Sequence, residues 1–510
     1  MELELAADAD AATLLARLKP LVASRDGRSR SQAIRIVWHD SPDHALMAEG
    51  LTLAEQAGAW RLERLTPGAE TWLPAQPPPL LSDSPDLTEL PSPLAPLAAF
   101  EGRRSVSVHH LGETTVTLTI DKGILRAVTA ERPVVRIGLG GDEQAVRVAA
   151  TLIAGAVAAA VPGFSLAAEA IAMATGATPQ PRHLGAPVLP EAARTVPDAL
   201  AHILGHLTDV VLAYAPRVSM PRGGGEDGDV HTAIHQMRVA VRRARSAVSI
   251  FRPALAAGAL DTVNDGLKTL GGRLGPARDW DVFADETVPA IRESIPCDER
   301  LDRLAAAASR QRTMHRKELA QYLASPAFRQ LGIDLAWFAA ARGWREAPQP
   351  PPTEAEPAAD ATPEPPAEPP AEAAPGPMTL EQFADTVLQQ RWKKLLSTGR
   401  RIEELDVPAL HGVRLRAKRV RYAAEMFATL HDGKAAKRFI QRLSELQERL
   451  GVLNDGAVAS HLLLELGGPG GRHGYACGLI TGFMAARAGR IRPQIVKTFQ
   501  RFRRQHAYWT

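Results

Sequence analysis

The pattern His235-x2-Arg238-x3-Arg242-Arg243-x-Arg245 returns as His411-x2-Arg414-x3-Lys418-Arg419-x-Arg421, displaced by a constant 176 positions. The same displacement carries Phe251 onto Phe427, Leu270 onto Leu446, Leu274-Gly275 onto Leu450-Gly451, Asp279 onto Asp455 and Val282 onto Val458. Ungapped agreement of this extent marks a duplication, and a duplicated unit buries its apolar face against its copy. The chain from about residue 195 to 510 is therefore expected to fold as two like helical halves.

The rest of the chain is organised around that duplication. Residues 1–185 carry short strand signals and one or two helices. Ile34–His39, Thr115–Ile120 and Val134–Leu139 read as strands, and Asp121-Lys122-Gly123 reads as a turn into Ile124–Val128. Helical periodicity takes over from Pro197, giving halves at 195–345 and 379–510. Between them, residues 346–378 hold twelve of the forty prolines, seven acidic residues and no basic one, a composition expected to stay disordered and extended. Only two cysteines, Cys297 and Cys477, are present, too few for a disulfide framework and consistent with a reducing compartment. The acidic start Met1–Leu5 is unlike a signal peptide, and the longest apolar run, Val148–Val161, falls short of the ~20 residues that span a bilayer. A soluble cytoplasmic protein with no membrane partner is expected.

On a helix, His235, Arg238, Arg242 and Arg245 fall within one stripe of about 80°, beside an apolar face of Ile234, Met237, Val241, Ala244, Val248 and Phe251. His411, Arg414, Lys418 and Arg421 repeat this layout beside Leu410, Val413, Ala417, Val420, Ala424 and Phe427. A solvated basic face ordinarily interleaves acids, because like charges at i,i+4 destabilise a helix. No acid occurs between Val230 and Pro253, nor between Leu410 and Ala424. Unmatched cations next to a packing face imply an anionic ligand in a groove.

Two features leave alternatives open. His231/His235 and His202/His206 have the i,i+4 spacing of helix-borne metal ligands, but neither pair has an intervening Glu or a neighbouring acid cluster. No metal or other cofactor is expected; His235 and His411 either donate to an anion or bond a helix carbonyl. Asp279 and Asp455 either orient arginines or cap helices.

The motifs His235–Ser246, Leu274–Val282, Leu410–Tyr422 and Leu450–Asp455 resemble the CHAD family, the conserved-histidine alpha-helical domain. The resemblance implies two helical bundles related by a pseudo-twofold axis, with a basic central surface that binds inorganic polyphosphate. It carries over His235, Arg238, Arg242, Arg243, Arg245, His411, Arg414, Lys418, Arg419 and Arg421 as binding residues. Arg278 and Arg416 join them, although Asn454 and Ala240 stand at their counterparts.

Residues 1–185 resemble a CYTH domain, a triphosphate tunnel metalloenzyme built as an antiparallel β-barrel. Glu2-Leu-Glu-Leu-Ala6 is similar to its Glu-x-Glu-x-Lys opening, and Val37–Asp43 to its Tyr-Asp-Thr-Pro-Asp turn. The signature lysine is Ala6, the Arg-x-Arg strand reads Thr52-Leu-Ala-Glu55, and the strand of alternating glutamates reads Val135-Arg-Ile-Gly-Leu139. Such departures imply a degenerate barrel with no catalytic residues, serving in binding, positioning or pairing as a homodimer. The expected fold class is thus α+β: a degenerate CYTH-like barrel with helices, then an all-α CHAD domain. The leading function is polyphosphate binding, located on polyphosphate granules. Hydrolysis of triphosphate or polyphosphate by the barrel, and nucleic-acid binding, are the rivals. Aromatic residues make up 5% of the chain and are sparse on the basic helices, which disfavours stacking on bases.

A formal net charge of +3 conceals this division. Residues 1–185 carry 16 basic and 21 acidic groups and the proline-rich stretch carries seven acids. The helical remainder holds 44 basic against 29 acidic groups.

Overall fold

The computed structural model describes residues 1–5, 24–65, 80–82, 84–177, 185–191, 193–219, 227–256, 258–341 and 378–509. The acidic stretch expected to be disordered lies outside the described residues, save for Met378.

The N-terminal part is an antiparallel sheet of nine strands: β1 (Glu2–Leu5), β2 (Ser24–Asp40), β3 (Leu51–Gln56), β4 (Ala59–Arg64), β5 (Leu80–Ser82), β6 (Ala95–Leu111), β7 (Thr114–Ala127), β8 (Glu131–Gly141) and β9 (Ala159–Ala160). Their order is β5-β4-β3-β2-β6-β7-β8-β1-β9. The ring implied by a barrel is not closed among the described residues, since β5 and β9, of three and two residues, stand at opposite ends. Alternation in β1 and β8 sends side chains to two covered faces. Leu3, Leu5, Val135, Ile137 and Leu139 meet helix α2 (Glu143–Ala156), while Val134 and its in-phase neighbours meet α3 (Leu166–Thr175).

Two local details differ from, or refine, the sequence reading. Asp121-Lys122-Gly123 is not a turn but the middle of β7. Gly123 is needed there because it faces Gly102 of β6 so closely that a Cβ would stand 2.3 Å from the Glu101 carbonyl oxygen. The Asp40-Ser41-Pro-Asp43 motif does turn the chain. The buried Asp40 carboxylate accepts from the Ser41, Leu46 and Met47 amides at 2.7, 2.9 and 2.9 Å, securing the single helical turn α1 (Ala45–Ala48).

The helical part comprises α4 (Val196–Ser219), α5 (Asp227–Phe251), α6 (Asp261–Val282), α7 (Val288–Ser294), α8 (Glu299–Leu323), α9 (Pro326–Ala341), α10 (Leu380–Thr398), α11 (Val407–Met426), α12 (Gly433–Glu465) and α13 (Gly474–Arg503). A displacement of 176 superposes α4 on α10, α5 on α11, α6 on α12 and α8 on α13. The two halves share one core, and the repeat-equivalent rings of Phe251 and Phe427 lie 6.0 Å apart where the halves meet. One helix, α4, is long and apolar enough to cross a membrane by length and composition, but 83% of its apolar window is buried in this core.

The duplication is broken at α9, which has no counterpart in the second half. It docks on the sheet domain: Arg147 of α2 donates to Asp334 at 2.9 Å and stacks 4.4 Å from the Trp337 ring. Leu212, Ile333 and Ala336 join the apolar layer under α2.

Candidate anion-binding surface

Helices α5 and α11 meet along the apolar faces read from the sequence, with Val241, Ala244, Val248, Ala417, Val420 and Ala424 all buried. Their basic stripes are thereby brought together at the seam between the halves. Arg238, Arg242, Arg414 and Lys418 stand close enough to repel one another. Lys418 shows the consequence most clearly: loss of hydration, then the charges of Arg242, Arg414 and Arg238, push its pKa down to about 7, with Asp455 alone offsetting them. Arg242 and Arg414 are lowered too, again by lost hydration first and neighbouring cations after. The effective dielectric beside a protein wall is lower than in water, so such repulsion is felt at full contact range.

Only part of this charge is matched. Arg238 donates to Asp279 at 3.3 Å, in a single contact rather than a fork. Asp279 and Asp455 lie inside α6 and α12, so neither is a cap. Asp279 orients Arg238, while Asp455 lies near Arg414 and Lys418, and lost hydration raises both carboxyl pKa values despite adjacent cations. Gly275 explains the Leu-Gly pair of the first repeat: a Cβ there would come within 3.0 Å of Arg238 Nη1. Gly451 has open space instead.

The structure separates the remaining sequence candidates into two groups. His235 and His411 are exposed at equivalent positions on the seam. Lost hydration and the charges of Arg278, Arg242 and His231 lower the His235 pKa and so favour its neutral imidazole. Arg278 contacts His231 and donates to Glu286 at 3.3 Å. Arg245 is exposed at the end of the stripe. Arg243 and Arg421, by contrast, are built into the joint between halves: Glu425 accepts from them at 2.9 and 2.6 Å, and Arg421 also donates to Gln447 at 3.3 Å. Glu425 thus neutralises part of the charge that Arg243 and Arg421 bring to the joint. Arg416 and Arg419 lie off the stripe.

Sequence reasoning missed Tyr422, Glu425, Glu286 and Arg487. Tyr422 is buried with its ring 5.7 Å from the Arg242 guanidinium, and Arg487 of α13 stands near Asp455. Tyr422 was visible as the aromatic that ends the basic run; Arg487 had no local signal. Among the described residues, no group of three His, Cys, Asp or Glu is disposed to hold a metal, and His202 and His206 are buried within α4.

The sheet holds a second charged cluster. Arg136 of β8 is almost fully buried, with Nη1 donating to Glu2 at 3.1 Å, Nη2 lying 3.3 Å from Glu169, and Nε 2.6 Å from Glu4. Arg132 donates to Glu4 at 2.7 Å and contacts Glu169. Burial alone would lower the Arg136 pKa, but Glu4, Glu2 and Glu169 more than reverse it. Burial raises Glu2, whereas Arg136 and Arg132 overcome burial and lower Glu4. The carboxylates that a tunnel metalloenzyme would offer to a divalent cation are thus engaged by guanidinium, and the residues present do not fit a metal.

Comparison with known proteins is consistent with the seam geometry. The CHAD domain matches residues 202–464, just over half of the chain. The chain belongs to the CHAD-domain family. The crystal structure of the CHAD domain from the plant Ricinus communis is similar, at 25% identity and a TM-score of 0.50, covering 64% of this chain and 97% of that one. PptA from Streptomyces chartreusis is a more distant likeness, at 15% identity and a TM-score of 0.42 over 60% of this chain and 99% of that one. No curated protein sequence matches. Both CHAD halves, with their paired basic helices, lie mainly within the matched span.

Proposed function

We propose that the CHAD domain binds inorganic polyphosphate along the seam between its halves. The observation that carries this reading is the crowding of Arg238, Arg242, Arg414 and Lys418, with Lys418 held down to about 7 by lost hydration and then by its neighbours' charges. A polyanion relieves that repulsion and supplies charge-assisted acceptors to each cation. His235, Arg278 and His411 flank the four, and Arg245 extends the row. Arg243 and Arg421 hold the halves in register through Glu425 and shape the surface rather than touch the ligand.

The aromatic rings favour phosphate over nucleic acid. Tyr422 on α11, Phe427 just past its end and Phe251 on α5 are all buried, so among the described residues these two helices offer no free Phe, Tyr or Trp ring to stack on a base. Titration of the full chain with long-chain polyphosphate across salt concentrations tests the reading. Log affinity is expected to fall against log salt by roughly 0.7 per phosphate neutralised if the ligand behaves as a single strand. RNA or DNA displacing polyphosphate at equal phosphate concentration would refute it. Association with cytoplasmic polyphosphate granules is the expected cellular consequence.

We propose further that the sheet domain is not a phosphohydrolase, on the strength of the Arg136 and Arg132 contacts to Glu2, Glu4 and Glu169. Phosphate release from triphosphate with Mg²⁺ or Mn²⁺ is expected to stay at background. Robust metal-dependent release would instead establish the enzyme reading.

A further inference from the structure

The two repeats treat one pair of arginines differently. Glu425 accepts from Arg243 across the seam at 2.9 Å and from Arg421 of its own helix at 2.6 Å. The displacement of 176 maps Arg243 onto Arg419, Arg421 onto Arg245, and Glu425 onto Ser249. It also maps Tyr422, whose ring lies 6.0 Å from the Arg243 guanidinium, onto Ser246. The mate of the Glu425 cluster therefore keeps both arginines and loses both the carboxylate and the ring.

Its charges are correspondingly unmatched. Arg245, Ser249 and Arg419 are exposed, and among the described residues neither arginine pairs with a carboxylate. The Ser246 hydroxyl is buried with no hydrogen-bond partner. A third guanidinium is added on this side only: Arg391 of α10, where the first repeat has Ala215, donates from Nη1 to the Arg419 carbonyl at 3.0 Å. Burial, then the Arg419 charge, lowers the Arg391 pKa to about 10.

We infer that Arg245, Arg419 and Arg391 form a second oxyanion site, taking a terminal phosphate group in the place that the Glu425 carboxylate fills in the other half. The protein displays the required chemistry in the mate cluster, where one acidic group is shared by guanidiniums from two helices. Guanidinium forks donate to phosphate and carboxylate oxygens in like geometry. Arg419 lies about 100° around α11 from Lys418, so the site is beside the seam rather than within it. A chain end lodged here is the natural occupant, and that identity rests on the polyphosphate reading; the oxyanion site itself does not.

Inorganic pyrophosphate, two terminal phosphates joined, is the probe. Calorimetric titration of the full chain compares wild type, Ser249→Glu and Ser249→Gln. Ser249→Glu supplies the missing carboxylate, so it is expected to weaken pyrophosphate by about tenfold or more and to raise the melting temperature of the unliganded protein. Ser249→Gln, of the same size without charge, is expected to stay within about threefold of wild type. Equal pyrophosphate affinity in wild type and Ser249→Glu, equal loss in both variants, or no binding to wild type would each overturn the inference. Failure of wild type to bind long chains, with Ser249→Glu-sensitive pyrophosphate binding intact, would overturn the polyphosphate reading alone.

Discussion

Two clusters of basic side chains in this protein follow opposite electrostatic logic. In the sheet domain, Arg136 is buried among Glu2, Glu4 and Glu169, and its proton is held more tightly than in water. At the seam of the CHAD domain, Arg242, Arg414 and Lys418 are crowded by one another and hold their protons less tightly. Both clusters lose hydration; the difference is that the guanidiniums of the first contact carboxylates directly, whereas at the seam, among the described residues, only Arg238 of the four cations does, through Asp279. The first cluster is complete within the fold and has no charge left to offer. The second keeps unmatched positive charge, which the proposed anion would neutralise.

The comparison is broken most sharply by emptying the closed cluster. Arg136→Ala leaves three partly buried carboxylates around a vacancy, and removing one partner of a buried ion pair costs about 3–5 kcal/mol. Chemical denaturation is expected to show that loss in the sheet domain, with polyphosphate affinity at the seam retained. Unchanged stability would mean that the cluster is not what holds β1, β8 and α3 together. The same coupling makes Glu2→Ala or Glu4→Ala a poor probe of catalysis, since either strands Arg136 or Arg132 and damages the fold.

Reversing charge in the open cluster comes next. Arg242→Glu with Lys418→Glu is expected to weaken long-chain polyphosphate by about 100-fold or more, some 3 kcal/mol, with helicity by circular dichroism unchanged. Among the described residues neither side chain forms an ion pair with a carboxylate, Asp455 acting on Lys418 only at longer range, so the fold has little to lose. Retained binding would move the ligand elsewhere.

What the sequence revealed of this contrast follows from what periodicity encodes. A displacement of 176 and a 3.6-residue period were enough to locate α5 and α11 and to say which side of each is basic. They could not say which cations meet a partner from the other half. Glu425 lies one residue beyond the acid-free window that marked the second stripe, yet it neutralises Arg421 locally and Arg243 across the seam. Arg243 and Arg419 look identical in the repeat, but one is buried and paired while the other is exposed. In the sheet domain, Arg136 was visible in Val135-Arg-Ile-Gly-Leu139, while its engagement of the opening glutamates needed the β1–β8 pairing. Asp121-Lys122-Gly123 misled because glycine there serves a close strand approach, a contact between distant residues, and not a turn.

A proton-coupling experiment sharpens the comparison further. The Lys418 pKa, lowered to about 7, should rise when phosphate oxygens replace water beside it. Affinity is then full below pH 7 and declines above it, by up to about tenfold per unit for one coupled proton. Lys418→Arg stays charged, so it is expected to flatten the decline between pH 7 and 9 while keeping affinity at pH 6. The unliganded protein should behave in the opposite sense. Its unfolded state binds the Lys418 proton up to the ordinary lysine value, so this group makes folding more favourable as pH rises through that interval. A pH-independent affinity in wild type would show that Lys418 carries no ligand charge.

The smallest effect separates the two repeats from each other. Gly275 and Gly451 occupy equivalent positions within α6 and α12, and glycine inside a helix costs roughly 0.5–1 kcal/mol relative to alanine. Gly451→Ala meets nothing within 4 Å, so it should raise stability by about that amount and leave binding alone. Gly275→Ala gains the same helix propensity but places its methyl group 3.0 Å from Arg238 Nη1. The guanidinium is the flexible end of its side chain and can swing aside, at the expense of its 3.3 Å contact with Asp279. Polyphosphate affinity is therefore expected to drop by about two- to threefold in Gly275→Ala alone, less than one charge-assisted hydrogen bond. Equal affinity in the two variants would show that Arg238 binds without being held by Asp279, and that the first repeat's glycine serves only the helix crossing.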